Sequence, residues 1–338
     1  MKRIPLSVIR SSFTVLFIAL MTESVAAHVH HEHAGESSAE SSTPVPALMA
    51  DYQASGDDRP LERRWRSLRV DAVSDRAAPA LLIEAAFVAQ ALHRFDDALE
   101  FARRAATQQP NNNQAWLLLA SLHLVRGDNA ASTDACRRLV DTAGLLQLTC
   151  MAAASIGAAD GVRYRAALDG WIDAFGINGF DPALQAWVLR VAGDHAAAAG
   201  DINAAETYLR ASLERAEATQ VRAALFDLLL AAGDVDAARA VLPATTDSLA
   251  LRVRRLIVER KTCRPSCSSS EARSLDREFR HWIEHGDFTH AREMARFYLD
   301  VNRQPELARY LALRNAETQR EPEDRRLLIR TARSSSPG

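Results

Sequence analysis

A turn that returns at nearly constant spacing constrains this chain more than any other feature. Between Pro79 and Asn112, two apolar-periodic segments flank a short polar turn at His93-Arg94. The first sets Leu82, Ala85, Ala86 and Ala89 on one face; the second does the same with Phe95, Ala98, Leu99, Ala102 and Ala105. Spacings of three and four belong to amphipathic helices. Ala98 and Ala105 let two helices approach closely, and Pro110 breaks the second helix. The turn recurs at Gly127-Asp128, Asp160-Gly161, Gly200-Asp201 and Gly233-Asp234, so the steps from residue 93 are 34, 34, 39 and 33. The long step contains an inserted loop, Gly176 to Pro182.

A repeated helix–turn–helix of 34 residues resembles the tetratricopeptide repeat (TPR) family. Trp116, Ala120 and Gly127 match that family's first-helix pattern, and the resemblance covers roughly residues 79–320. It implies an all-α fold: a right-handed helical-repeat solenoid, TPR-like, of about seven helix pairs. It also implies a concave groove lined by first helices, where a protein partner lies. Carried over by the turn spacing, the contact positions are Ile83, Phe87 and Gln90, then Leu117, Ser121 and Leu124. Met151 and Ser155 follow, then Trp187, Arg190 and Asp194, then Ala223 and Asp227. The alternative for each is packing within the inner layer. The family's carboxylate-clamp members use lysine and asparagine where this chain has Leu117 and Ser121, which argues against capture of a free C-terminal carboxylate.

Composition agrees with a helical array. Hydrophobic residues make up 48% of 338 but aromatics only 6%; alanine and leucine, both helix formers, supply the balance. A formal net charge of -2 gives no global attraction to nucleic acid, and none is expected as a partner. Lysine occurs only at Lys2 and Lys261.

Residues 1–27 read as a secretory signal: Lys2, Arg3 and Arg10, an apolar core from Ser11 to Met21, then Val25-Ala26-Ala27 as the cleavage site. The apolar run is shorter than the ~20 residues of a membrane span, so no stable insertion is expected after cleavage. The expected location is the periplasm or outside the cell. Cleavage after Ala27 exposes His28-Val29-His30-His31-Glu32-His33. The free amine, two deprotonated amides and the His30 ring then form a square-planar nitrogen set suited to Cu(II) or Ni(II). His28, His30, His31 and His33 are thus the candidate metal ligands, for copper, nickel or zinc. No cofactor is required by the rest of the chain, and adventitious binding by a solvated His-rich leader is the alternative.

Residues 28–60 read as a disordered tether rich in His, Ser and Glu. Residues 61–78 read as an N-terminal capping segment packing Trp65 and Leu68 on the first repeat; the arginines around Trp65 alternatively fit an anionic surface. Beyond Gly233 the spacing predicts turns near 267 and 301 and helices over about 247–262, 270–285, 289–302 and 305–317. Residues 321–338 hold a terminal cap helix and tail, with Arg325, Arg326 and Arg330 outside and Leu327, Leu328 and Ile329 largely inside. Four cysteines in an exported chain favour disulfides. Cys263 and Cys267 flank a proline turn and close locally. Cys136 and Cys150 fall on helices that are neighbours in the family; they are either bridged or two buried thiols.

One motif invites an enzymatic reading. His281-Trp282-Ile283-Glu284-His285 matches the inverted zinc-peptidase pattern H-x-x-E-H. Trp282 and Ile283 also fit the apolar stripe of a repeat helix, and a surface histidine pair is the preferred reading. No catalytic residue is assigned and no enzyme activity is expected. The sequence reading is therefore an exported scaffold for a protein partner, with periplasmic metal handling through the His tract as the alternative.

Overall fold

The computed structural model describes residues 43–55, 57–140, 144–262 and 269–334, and within them the protein is seventeen α-helices with no strand. Two lead-in helices come first, α1 (Val45–Ser55) and α2 (Arg59–Ala72). Seven helix pairs follow. They are α3 (Pro79–Ala91) with α4 (Phe95–Gln108), α5 (Asn113–Val125) with α6 (Asn129–Cys136), and α7 (Leu145–Ala154) with α8 (Gly161–Phe175). Next come α9 (Pro182–Ala198) with α10 (Ile202–Arg215) and α11 (Thr219–Ala231) with α12 (Val235–Ala240). The last pairs are α13 (Leu249–Thr262) with α14 (Ser270–Glu284) and α15 (Ala291–Asp300) with α16 (Pro305–Thr318), before a terminal helix α17 (Pro322–Ser334). The all-α, helix-pair architecture expected from the turn spacing is present.

The recurrent turn has a physical cause. Gly127, Gly200 and Gly233 take φ of 79°, 79° and 87°, and His93 takes 59° in the same slot. After that residue the next backbone N–H reaches back five residues: Arg94 to Ala89, Asp201 to Ala196 and Asp234 to Leu229, at 2.8, 2.9 and 3.0 Å. This is the Schellman closure of the first helix, and glycine enters the left-handed region without a Cβ penalty. The aspartate then starts the second helix. Asp201 accepts from the Ala204 N–H at 3.2 Å and Asp234 from Ala237 at 2.8 Å. A Gly-Asp dipeptide therefore ends one helix and caps the next. The third turn is longer than the lattice expects: its left-handed residue is Gly157, with Asp160 beginning α8.

The helices fall into two compact units, one of residues up to His123 with Asn129–Arg222, the other Leu124–Asp128 with residues from Ala223 onward. The helix-pair pattern runs through both. The division falls within α11, between Arg222 and Ala223. In the first unit, Leu61, Trp65, Leu68 and Ala72 of α2 are buried, and the Trp65 ring lies 6.1 Å from Phe101 of α4. α9 and α10 meet closely at Gly193, where an added Cβ would come within 3.0 Å of Leu209. In the second unit, Phe279 of α14 meets Phe297 of α15 edge-on at 5.2 Å, inside a core closed by Leu311 and Leu327.

Two expectations are corrected. Part of the segment read as tether is helical: α1 buries Val45, Met49 and Tyr52, spaced four and three apart, so this short stretch does carry an apolar stripe. Ile329, expected largely inside, is 53% exposed. Leu327 and Thr331 take the inward positions of α17, and Ile329 lies well round the helix from both.

Candidate functional site

The residues carried over as groove contacts lie on the first helices of successive pairs, and most are buried. Ile83, Phe87 and Gln90 sit on α3, Leu117, Ser121 and Leu124 on α5, Ser155 just past the end of α7, Trp187 and Arg190 on α9, and Ala223 on α11, all at 9% exposure or less. Met151 on α7, Asp194 on α9 and Asp227 on α11 keep partial exposure. The polar members are satisfied within the protein. Gln90 Nε2 donates to Ser121 Oγ at 3.0 Å across α3 and α5, and Arg190 Nε donates to Asp194 Oδ2 at 2.6 Å. Burying such groups demands a partner for each; the next first helix supplies it for Gln90, and the following turn of the same helix supplies it for Arg190.

The most highly charged of these positions is Asp227. Arg254 of α13 donates to it from Nε at 3.2 Å and from a terminal nitrogen at 2.6 Å. Arg296 of α15 donates two more bonds, at 2.6 and 2.7 Å. One carboxylate thus joins the first helices of three successive pairs. Burial pushes its carboxyl up, but the two guanidinium charges and their hydrogen bonds outweigh this and hold it at about 2. A carboxyl depressed from 3.8 stabilises the fold above pH ~4, and that contribution is lost as pH falls toward 2. With the side chain 28% exposed, the contribution is about 1–2 kcal/mol. In acid titrations of urea stability, Asp227→Asn should be the flatter curve between pH 4 and 2; parallel curves would exclude the depressed carboxyl.

Arg254 and Arg296 were not legible as contact residues, because their acid partner lies 27 and 69 residues away in sequence. Their one sequence signal is weak: Arg296 falls between Met294 and Phe297 on an apolar stripe, while Arg254 is one of three arginines, with Arg252 and Arg255, between Leu251 and Ile257.

His281 and His285 are both exposed at the end of α14, with ring centroids 4.2 Å apart. The His285 Nδ1 lies 2.8 Å from the His281 carbonyl oxygen. Glu284 beside them is exposed, and among the described residues no three His, Cys, Asp or Glu side chains converge on a common point that could hold an ion. His195 is buried with Nε2 2.8 Å from the Ala152 carbonyl oxygen, and burial keeps its ring pKa low. Cys136 and Cys150 are joined by a disulfide, with Cα atoms 5.6 Å apart. Cys263 and Cys267, and the tract residues His28, His30, His31 and His33, lie outside the described residues. No helix among the described residues is long and apolar enough to cross a membrane.

Successive helix pairs, several of them closed internally by a Schellman turn and spaced about 34 residues apart, give this chain a TPR-like helical-repeat fold. No family model matches the sequence, and no curated protein matches it. Thirteen solved chains match the structure. One is a tetratricopeptide repeat protein from Parabacteroides merdae, 13% identical, with a TM-score of 0.42, covering 83% of this chain and 95% of that one. Another comes from the APC/C hetero-tetramer Cut9-Hcn1, 15% identical, with a TM-score of 0.46, covering 94% of this chain. This chain spans about half of that one, 53%.

Proposed function

We propose that this chain is an exported, non-catalytic scaffold that binds a protein partner along its first helices. One observation carries the reading. Seven helix pairs follow one another in sequence, and at the positions the repeat resemblance marks for partners, Met151 and Asp194 of the first unit and Asp227 of the second remain partly exposed. Repeat arrays bind extended partners this way because each pair adds one strip of surface. Export rests on the signal-like residues 1–27. A photo-crosslinking residue placed at Met151 or Asp194 should give discrete adducts in cells. The same residue at Val162, 77% exposed on second helix α8, should not. Equal adducts from all three positions would defeat the scaffold reading.

A second reading, metal handling, rests on the His tract alone. If cleavage follows Ala27, the His28 amine, the amides of Val29 and His30, and the His30 ring enclose one Cu(II), with proton release on binding. His30→Ala should remove tight Cu(II) binding and its d–d absorption, and His33→Ala should leave both largely intact. One residue added before His28 should be as damaging as His30→Ala; unchanged binding in that extended form would reduce the tract to a loose cluster.

A further inference from the structure

The terminal helix α17 sorts its charges by side. Its carboxylates turn inward: Asp324 is 3% and Glu321, just before the helix, 7% exposed, and both bind Arg292. Glu323 lies 3.7 Å from the same guanidinium. Its arginines turn outward. Arg325, Arg326, Arg330 and Arg333 are all exposed, and Arg320 is exposed just ahead of them. Arg330 pairs with Asp300 at 2.5 Å, and Arg325 Nε donates only to the Arg320 carbonyl, at 3.1 Å. Arg325, Arg326 and Arg333 form no ion pair among the described residues. Residues 326, 329, 330 and 333 repeat at three and four, so Ile329, 53% exposed, stands in the middle of the arginine row. From Arg325 to Gly338 the sequence holds no acidic residue.

A terminal helix needs a polar outer face for solubility, but that need is met by charges of either sign. Here one sign is used, with a large aliphatic side chain among the charges. The row lies on an open helix face rather than in a groove, so its complement is an extended anionic surface. Two such surfaces exist, a phospholipid layer and a nucleic acid. Ile329 decides between them: a branched aliphatic group gains by entering the acyl boundary under anionic headgroups and gains little against a phosphate backbone. We propose that the outer face of α17 docks the protein on an anionic phospholipid surface through Arg325, Arg326 and Arg333, with Ile329 inserted between them. The net charge of -2 for the whole chain makes this attraction local and dependent on orientation. The inference is independent of the partner-binding reading.

The full chain as purified from cells should bind vesicles of phosphatidylglycerol and phosphatidylcholine, more weakly at high salt, in excess of its binding to pure phosphatidylcholine. Each arginine near such a surface is worth about five-fold in partitioning. Replacing Arg325, Arg326 and Arg333 together by glutamine should therefore weaken that excess roughly 100-fold, with the melting curve unchanged because none of the three holds an ion pair. Ile329→Gln should weaken vesicle binding several-fold and leave binding to duplex DNA unaltered. If the triple variant binds anionic vesicles as the parent does, the proposal is wrong. It is equally overturned if the parent prefers duplex DNA to vesicles and Ile329→Gln changes neither.

Discussion

Arg292→Ala should destabilise the second unit by about 3–5 kcal/mol, the cost of leaving buried carboxylates without their cation. Arg292 donates from Nε to Asp324 at 2.6 Å and from one terminal nitrogen to Asp324, Glu321 and Gln319 at 2.9, 2.6 and 3.2 Å. Asn315 adds a bond to Asp324 at 2.7 Å, and the Glu321 N–H caps the helix on the same carboxylate at 2.9 Å. The side chains of Asp324 and Glu321 are 2% and 9% exposed, so water cannot replace the guanidinium. Burial already pushes the Glu321 carboxyl above its ordinary value, opposed by Arg292. Removing Arg292 must raise it further. The variant's deficit should therefore be largest near neutral pH and shrink as pH falls and the stranded Glu321 carboxyl takes up a proton. Arg292→Lys should recover part of the loss, since a lysine keeps the charge but not the forked geometry. Urea unfolding at pH 7 and pH 5 checks both points, and a loss below 1 kcal/mol at pH 7 would show the cluster to be dispensable.

The same cluster shows where sequence reading stops. The helix pairs were legible because their determinants are local: a left-handed slot, an aspartate cap and an apolar stripe all lie within one turn-length of each other. Helices expected over 270–285 and 305–317 are found at Ser270–Glu284 and Pro305–Thr318 for this reason. His93 was placed in the glycine slot by spacing alone, and its backbone takes the same left-handed conformation at φ 59°. Arg292 with Asp324, and Arg296 with Asp227, are 32 and 69 residues apart. No local periodicity encodes such pairs; they follow from which helices lie side by side, and that is settled only by packing. The contact positions share this limit. Counting from the turns put Asp227 on a first helix, where it stands, but not the two arginines that hold it. The α1 helix was missed for another reason. Its stripe is only Val45, Met49 and Tyr52, too short to outweigh the surrounding serine, proline and glycine.

Loss of the Cys136–Cys150 bridge should cost about 3 kcal/mol, the unfolded-chain entropy released on opening a loop of this length. The two cysteines are 14 residues apart, one ending α6 and the other midway along α7, and both are almost wholly buried, at 0% and 1% exposure. The helices that meet there are short. α6 has only eight residues, and α7 has ten. Leu145 packs fully beneath the start of α7, while Gln147 reaches back to the Arg137 and Leu139 carbonyls only at 3.3 and 3.4 Å. A covalent link therefore adds to the apolar contact that two short helices can make. Cys136→Ala with Cys150→Ala should lower the urea midpoint of the first unit and leave that of the second unmoved. Reductant should lower the parent to the level of the double variant at these helices. If reduced and oxidised parent unfold at the same urea concentration, the bridge contributes nothing and the short helices are held by packing after all.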